Sequence, residues 1–165
     1  MKRTSPSFGL VLAVVLILAL MGSGSIAQGS SPTEPATTQS QTTLSPTAIA
    51  WISSAEPHAN FGARGYVWVG YGQGTGTACC STLRGLVKFD LDSLPAGNVV
   101  TSARLYATIS SAQGPADTFA YHVGRVQSYW GQYSVTWSGK PSITWGPSVS
   151  ISATGGQVSW DVTDY

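Results

Sequence analysis

Between Leu83 and Ser110 apolar and polar side chains alternate along two runs separated by a turn. In the first run Leu83, Val87, Phe89 and Leu91 take odd positions, with Gly85 among them. Arg84, Leu86, Lys88 and Asp90 take the even ones. After Asp92-Ser93-Leu94-Pro95-Ala96-Gly97 the pattern resumes. Ala103, Leu105, Ala107 and Ile109 lie on one side, and Arg104, Tyr106, Thr108 and Ser110 on the other. A period of two is what a β-strand produces when one face enters a core and the other carries polar groups. Pro95 fixes its own φ and Gly97 tolerates a left-handed one, so the connection reads as a turn. Two adjacent strands, not a helix, are therefore the centre of this chain.

The flanking segments extend the pattern. Ile49, Trp51 and Ile52 begin a first strand, and Glu56–Gly62 reads as a turn-rich loop. Tyr66–Tyr71 is aromatic and β-branched and reads as a strand packed on both faces. Thr118–Val126 reads as a strand with Phe119, Tyr121 and Val123 on one face. Ser134–Trp137, Ile143–Trp145 (bracketed by Pro141 and Pro147), Val149–Ile151 and Val158–Val162 are shorter strand candidates. No helix-length amphipathic segment follows the N-terminal region, and no internal repeat suggests a solenoid. Seven or eight short strands predict an all-β fold, an antiparallel β-sandwich of jelly-roll-like form.

The first 46 residues read differently. Lys2 and Arg3 precede an unbroken apolar run, Leu10–Met21, too short to span a bilayer comfortably. Ser25-Ile26-Ala27 is a small-x-small cleavage pattern. Residues 1–27 are therefore expected to be a signal peptide, making the protein extracellular, with no membrane contact after cleavage. Residues 28–46 are rich in Ser, Thr, Gln and Pro with Glu34 as the one charge, the composition of a linker. The folded domain is expected over residues 47–165. Without Lys2 and Arg3, six basic residues face seven acidic ones, which argues against nucleic acid as a partner.

Several of these residues also form an ordered set. Asn60-Phe61-Gly62, Val67-Trp68-Val69-Gly70, Arg84…Leu86-Val87-Lys88-Phe89-Asp90-Leu91…Leu94-Pro95…Val100-Thr101-Ser102-Ala103…Leu105, Trp130…Val135-Thr136-Trp137…Pro141 and Trp160-Asp161-Val162-Thr163 occur in that order. The set resembles the DNRLRE-domain family, also described as carbohydrate-binding module family 96, whose members are secreted β-sandwich modules. The resemblance implies a non-catalytic sugar-binding module. Some members bind alginate. The family pattern carries a further strand beyond the position of Thr163, so the domain is expected to lack its last strand or to lean on a larger parent protein or another chain to complete its sheet. The alternative is that Ala48–Ile52 closes the sheet and the module is short.

The inventory for catalysis is poor. Glu56, Asp90, Asp92, Asp117, Asp161 and Asp164 are the candidate carboxylates, and most flank turns, where such groups accept backbone N–H bonds. No nucleophile elbow or phosphate loop is present. His58 and His122 lack ligand-like spacing, so no metal site is expected, and nothing calls for a cofactor. Cys79 and Cys80 are adjacent. They can close a vicinal disulfide ring, cross-link to another chain or stay as free thiols; the ring is favoured because no third cysteine competes.

A binding face is the better candidate. Aromatic faces suit a sugar ring's C–H surface, and cations suit an acidic sugar. Arg84 and Lys88 with Arg104, Tyr106 and Trp130 meet that requirement, so an acidic polysaccharide is the expected partner. Trp68, Trp137 and Trp160 read as core, whereas Trp51, Trp130 and Trp145 are freer to present a ring. The other reading is that Lys88 pairs with Asp90 or a neighbouring strand, and that Arg104 and Tyr106 simply cover the sheet. The chain would then be a structural or adhesive module of a surface or matrix protein.

Overall fold

The computed structural model describes residues 12–21, 39–72, 81–110, 118–152 and 156–165. Cys79, Cys80, Asp117 and the cleavage pattern at Ala27 lie outside them. Nine strands follow in order among the described residues: β1 (Leu12–Met21), β2 (Gln39–Leu44), β3 (Pro46–Ser53), β4 (Gly70–Gly72), β5 (Ser81–Phe89), β6 (Val99–Ile109), β7 (Thr118–Val126), β8 (Ile143–Ser152) and β9 (Gly156–Asp161). All pairings are antiparallel. One sheet has the order β2-β1-β6-β9, a second β3-β5-β4, and β7 and β8 form a hairpin. The fold is an all-β antiparallel sandwich.

The alternation in β5 and β6 sets how the layers meet. Ala107 and Ile109 of β6 and Trp160 of β9 are buried against Val87 and Phe89 of β5 and Tyr121 and Val123 of β7. The odd face of β6 therefore packs on the odd face of β5, with β7 contributing to the same layer as β5. Removing a large aliphatic side chain here from water contributes about 1.5–3 kcal/mol. The turn between the strands forms as its residues dictate. Leu94 N–H donates to Leu91 O, Asp92 N–H donates to Asp90 Oδ1, and Gly97 adopts φ 82°.

The even face of β3 and β5 is covered too, by a different part of the chain. Ala50, Ile52 and Leu86 are buried there with Trp130 and Val135 from the segment after β7. Asn60 holds that segment down, donating through Nδ2 to Gln132 O at 3.0 Å and Val135 O at 2.7 Å, while its Oδ1 accepts from Gly62 N–H at 3.1 Å. Gln132 Nε2 donates back to Gly62 O at 2.6 Å. A Cβ at Gly62 would overlap the Gln132 carbonyl, which is why a glycine stands there. The Asn60-Phe61-Gly62 motif is thus a clasp between two loops.

Some strand expectations need correction. In Tyr66–Tyr71 only the end, from Gly70, pairs as a strand. Val67 and Val69 instead cross close over Gly85, where a Cβ would lie 3.0 Å from Val69 Cγ1. Ser134–Trp137 is not a strand. Ser134 and Val135 N–H both donate to Gly131 O, the mark of a tight turn. Ile143–Trp145 and Val149–Ile151 are one strand, β8, running through Pro147. Its pairing jumps from His122↔Ser148 to Gly124↔Trp145, so Gly146 and Pro147 oppose one residue, and the bulge accommodates the missing N–H. The ordered chain also starts earlier than Thr47. Gln39–Leu44, read from composition as linker, pairs as β2 and buries Leu44 beside Ala103.

Candidate functional site

The face of β5 that carries Leu86 also carries Arg84 and Lys88, one on each side of it. Three residues of strand lie between the two, which puts their Cα atoms about 13 Å apart. The Arg84 guanidinium lies 5.0 Å from the Trp137 ring centroid and 5.1 Å from that of Trp145. Lys88 Nζ lies 4.5 Å from the Tyr129 ring centroid and 4.9 Å from that of Trp130, and donates to Trp130 O at 2.9 Å. Lys140 Nζ repeats the arrangement on Trp137, 4.7 Å from its ring, and donates to Trp137 O at 3.2 Å. Aromatic faces attract cations through the ring quadrupole, by about 0.5–1 kcal/mol at exposed sites. Among the described residues neither Arg84 nor Lys88 has a carboxylate within ion-pair distance. The pairing with Asp90 that would have made Lys88 a mere sheet cover is absent; Asp90 instead accepts from Asp92 N–H.

Arg84 and Lys88, but not Lys140, line a seam. β4 bonds only to Ser81–Leu83 of β5, and beyond that point β5 faces β7 across a cleft of about 500 Å³. Its walls are mainly apolar, and Val87, Val123 and Trp160 line it together with Arg84 and Trp145. Toward Phe89 the seam continues as a second cleft of about 350 Å³ lined by Lys88, Arg125 and Tyr129. Trp145 is 53 % exposed and Tyr129 88 %, so each presents a ring to solvent. The seam therefore offers three cations and two accessible rings in a row.

The five residues expected to bind together are not all brought together. Arg104 and Tyr106 occupy even positions of β6, opposite the face that buries Ala103 and Ala107, and so lie on the outside of the other layer. Arg104 stands in register with Asp161, and Tyr106 with Ser159. The Asp161 carboxyl is held below its ordinary value, first by the Thr163 hydroxyl at 2.7 Å, then by the Thr163 N–H at 3.1 Å, and least by the charge of Arg104. Thr163 in turn accepts from Ala103 N–H, so Trp160-Asp161-Val162-Thr163 ties the end of β9 to β6. Trp160 also donates its indole N–H to Tyr121 O across the layers.

Trp130 sits beside Lys88 but is buried with Leu86 and Val135, and its main contribution is a carbonyl that orients the ammonium. The exposed rings are Tyr129 and Trp145. Trp51, read as free to present a ring, is buried and stacked on Phe61 at 3.7 Å. Arg125 and Tyr129 were not singled out from the sequence. No group of three His, Cys, Asp or Glu side chains comes together among the described residues.

A family model described as carbohydrate-binding module family 96 matches residues 40–165, a span that opens within β2. No curated protein and no solved structure is significantly similar to the chain.

Proposed function

The chain belongs to carbohydrate-binding module family 96, and we propose that it is an exported, non-catalytic module that holds an acidic polysaccharide along the β5–β7 seam. The observation that carries the reading is the row Arg84, Lys88 and Arg125 with the accessible rings of Trp145 and Tyr129. A polymer of uronic acids presents a carboxylate and an apolar C–H face on each sugar. A cation beside a ring matches one such sugar, since the charged group binds the carboxylate while the ring stacks on the C–H face. Two matches about 13 Å apart select a polymer over a free monosaccharide. The Lys88 ammonium gives one of its three N–H groups to Trp130 O, which leaves two for ligand. The carboxylates at Asp90 and Asp161 are occupied in turns, and this supports binding without catalysis.

Affinity electrophoresis through gels containing alginate, pectate, hyaluronan or a neutral glucan tests this. Retardation by acidic gels only, weakened by added salt, is the expected result. Equal retardation by the neutral glucan would remove the role of the cations. No retardation by any gel would leave a structural module in its place.

A further inference from the structure

Lys140 lies outside the seam, yet one ring ties it to the seam's cations. The Trp137 ring centroid is 5.0 Å from the Arg84 guanidinium and 4.7 Å from Lys140 Nζ. Each charge is about 5 Å from the same point, so the two are at most about 10 Å apart, close to the screening length of about 8 Å in physiological salt. The turn that carries Lys140 is fixed. Ser138 N–H donates to Pro57 O at 2.9 Å, Gly139 N–H to Thr136 Oγ1 at 3.2 Å, and Lys140 N–H to Trp137 O at 3.4 Å. The Lys140 ammonium also donates to Trp137 O, at 3.2 Å, which leaves two of its three N–H groups for other acceptors.

Two like charges at that separation repel, because salt does not fully screen them. The ring between them offsets part of this through its quadrupole but carries no net charge. Among the described residues no carboxylate lies within ion-pair distance of Arg84 or Lys140. Anions bound at these cations would relieve the repulsion. Lys88 uses a different pair of rings, Tyr129 and Trp130, so the extra charge adjoins Arg84. The chain path agrees. The segment that leaves Trp130, beside Lys88, reaches Pro57 by Ser138, just past the Ser53↔Leu83 end of β3 and β5.

We propose that Lys140 is a further anion-binding position of the module, beyond the three cations of the seam. An acidic polysaccharide leaving the seam at Arg84 crosses Trp137 and places a carboxylate on the Lys140 ammonium. The ligand class is a polymer that carries carboxylates repeatedly along its length and is long enough to reach both cations. The inference rests on the acidic-polysaccharide reading and adds to it the length of chain that the module grips.

Calorimetric titration of uronate oligomers of increasing length tests this on the parent, Lys140→Gln and Lys140→Arg. Parent affinity should rise with length until Lys140 is reached. With oligomers of that length Lys140→Gln should lose about tenfold, the effect of one charge-assisted contact. With the shortest oligomer that binds the parent it should lose little. Lys140→Arg should recover most of the loss, since a guanidinium also takes a carboxylate. A parent that binds no oligomer of any length removes the polysaccharide reading, and this inference with it. Where the parent binds, unchanged affinity of Lys140→Gln at every length overturns the inference alone. Equal loss at every length does the same, since Lys140 would then only position Trp137 beside Arg84.

Discussion

Replacing Asn60 with alanine should loosen the whole seam, although Asn60 touches no ligand. Its side chain makes three hydrogen bonds, two given to the carbonyls of Gln132 and Val135 and one accepted from Gly62 N–H. Each such bond contributes about 1 kcal/mol net, and orphaning the groups beside buried Val135 adds to the loss. Asn60→Ala should therefore cost about 3 kcal/mol, a large fraction of a typical domain's stability of about 5–15 kcal/mol. For a domain of this size that corresponds to a fall in Tm of roughly 10 °C. The segment released carries Tyr129, Trp130 and Trp137, the rings that flank Lys88 and Arg84. Polyuronate affinity should fall as well, at a temperature where the variant is still folded. Thermal unfolding by circular dichroism and gel retardation at about 15 °C, well below the lowered midpoint, read the two effects. A Tm within about 2 °C of the parent would refute the reasoning. It would mean that burial of Trp130 alone holds the segment.

Other substitutions probe separate parts of the account. Leu86→Ala empties a site enclosed by Ala50, Ile52, Trp130 and Val135 and should cost about 2–5 kcal/mol in denaturant unfolding. Arg104→Ala should leave polyuronate retardation unchanged, because Arg104 lies outside the other layer; a loss as large as that of Arg84→Ala would show that ligand reaches both faces. Asp161→Asn tests the end of β9. The carboxyl is depressed by its Thr163 bonds, so its contribution is present above the unfolded value and fades as pH falls through the folded one. The stability difference between parent and variant should shrink between about pH 5 and pH 2, and a constant difference would contradict the assignment.

The sandwich was legible because alternation is a local signal with a single structural cause. The alternating runs Leu83–Leu91 and Ala103–Ser110 fall largely in β5 and β6, whose odd faces enter a core as expected, although the even face of β5 is covered as well. Thr118–Val126 is β7 with the expected bounds. Arg84 and Lys88 were legible for the same reason, being even positions of β5. Periodicity does not say which layer a strand joins, and Arg104 and Tyr106 were separated from the other two by that. Arg125 shares the parity of Tyr121 and Val123, a face that packs inward along the rest of β7. It is solvated because the row ends in an open cleft between β5 and β7, not against a closed edge. Trp130 and Tyr129 are neighbours, and which ring is buried depends on how the clasped loop lies on Leu86. Gln39–Leu44 escaped notice because a polar strand has no composition to mark it; its partner supplies the order.

The central claim is tested most directly by calorimetric titration of a uronate oligomer into the parent and into a variant carrying Arg84→Gln and Lys88→Gln. Charge-assisted hydrogen bonds contribute about 1.5–3 kcal/mol each. The double variant should lose at least tenfold in affinity. The parent's affinity should fall as salt rises, and that dependence should largely vanish in the variant. Undiminished, equally salt-sensitive binding by a variant that unfolds at the parent's temperature would contradict the account.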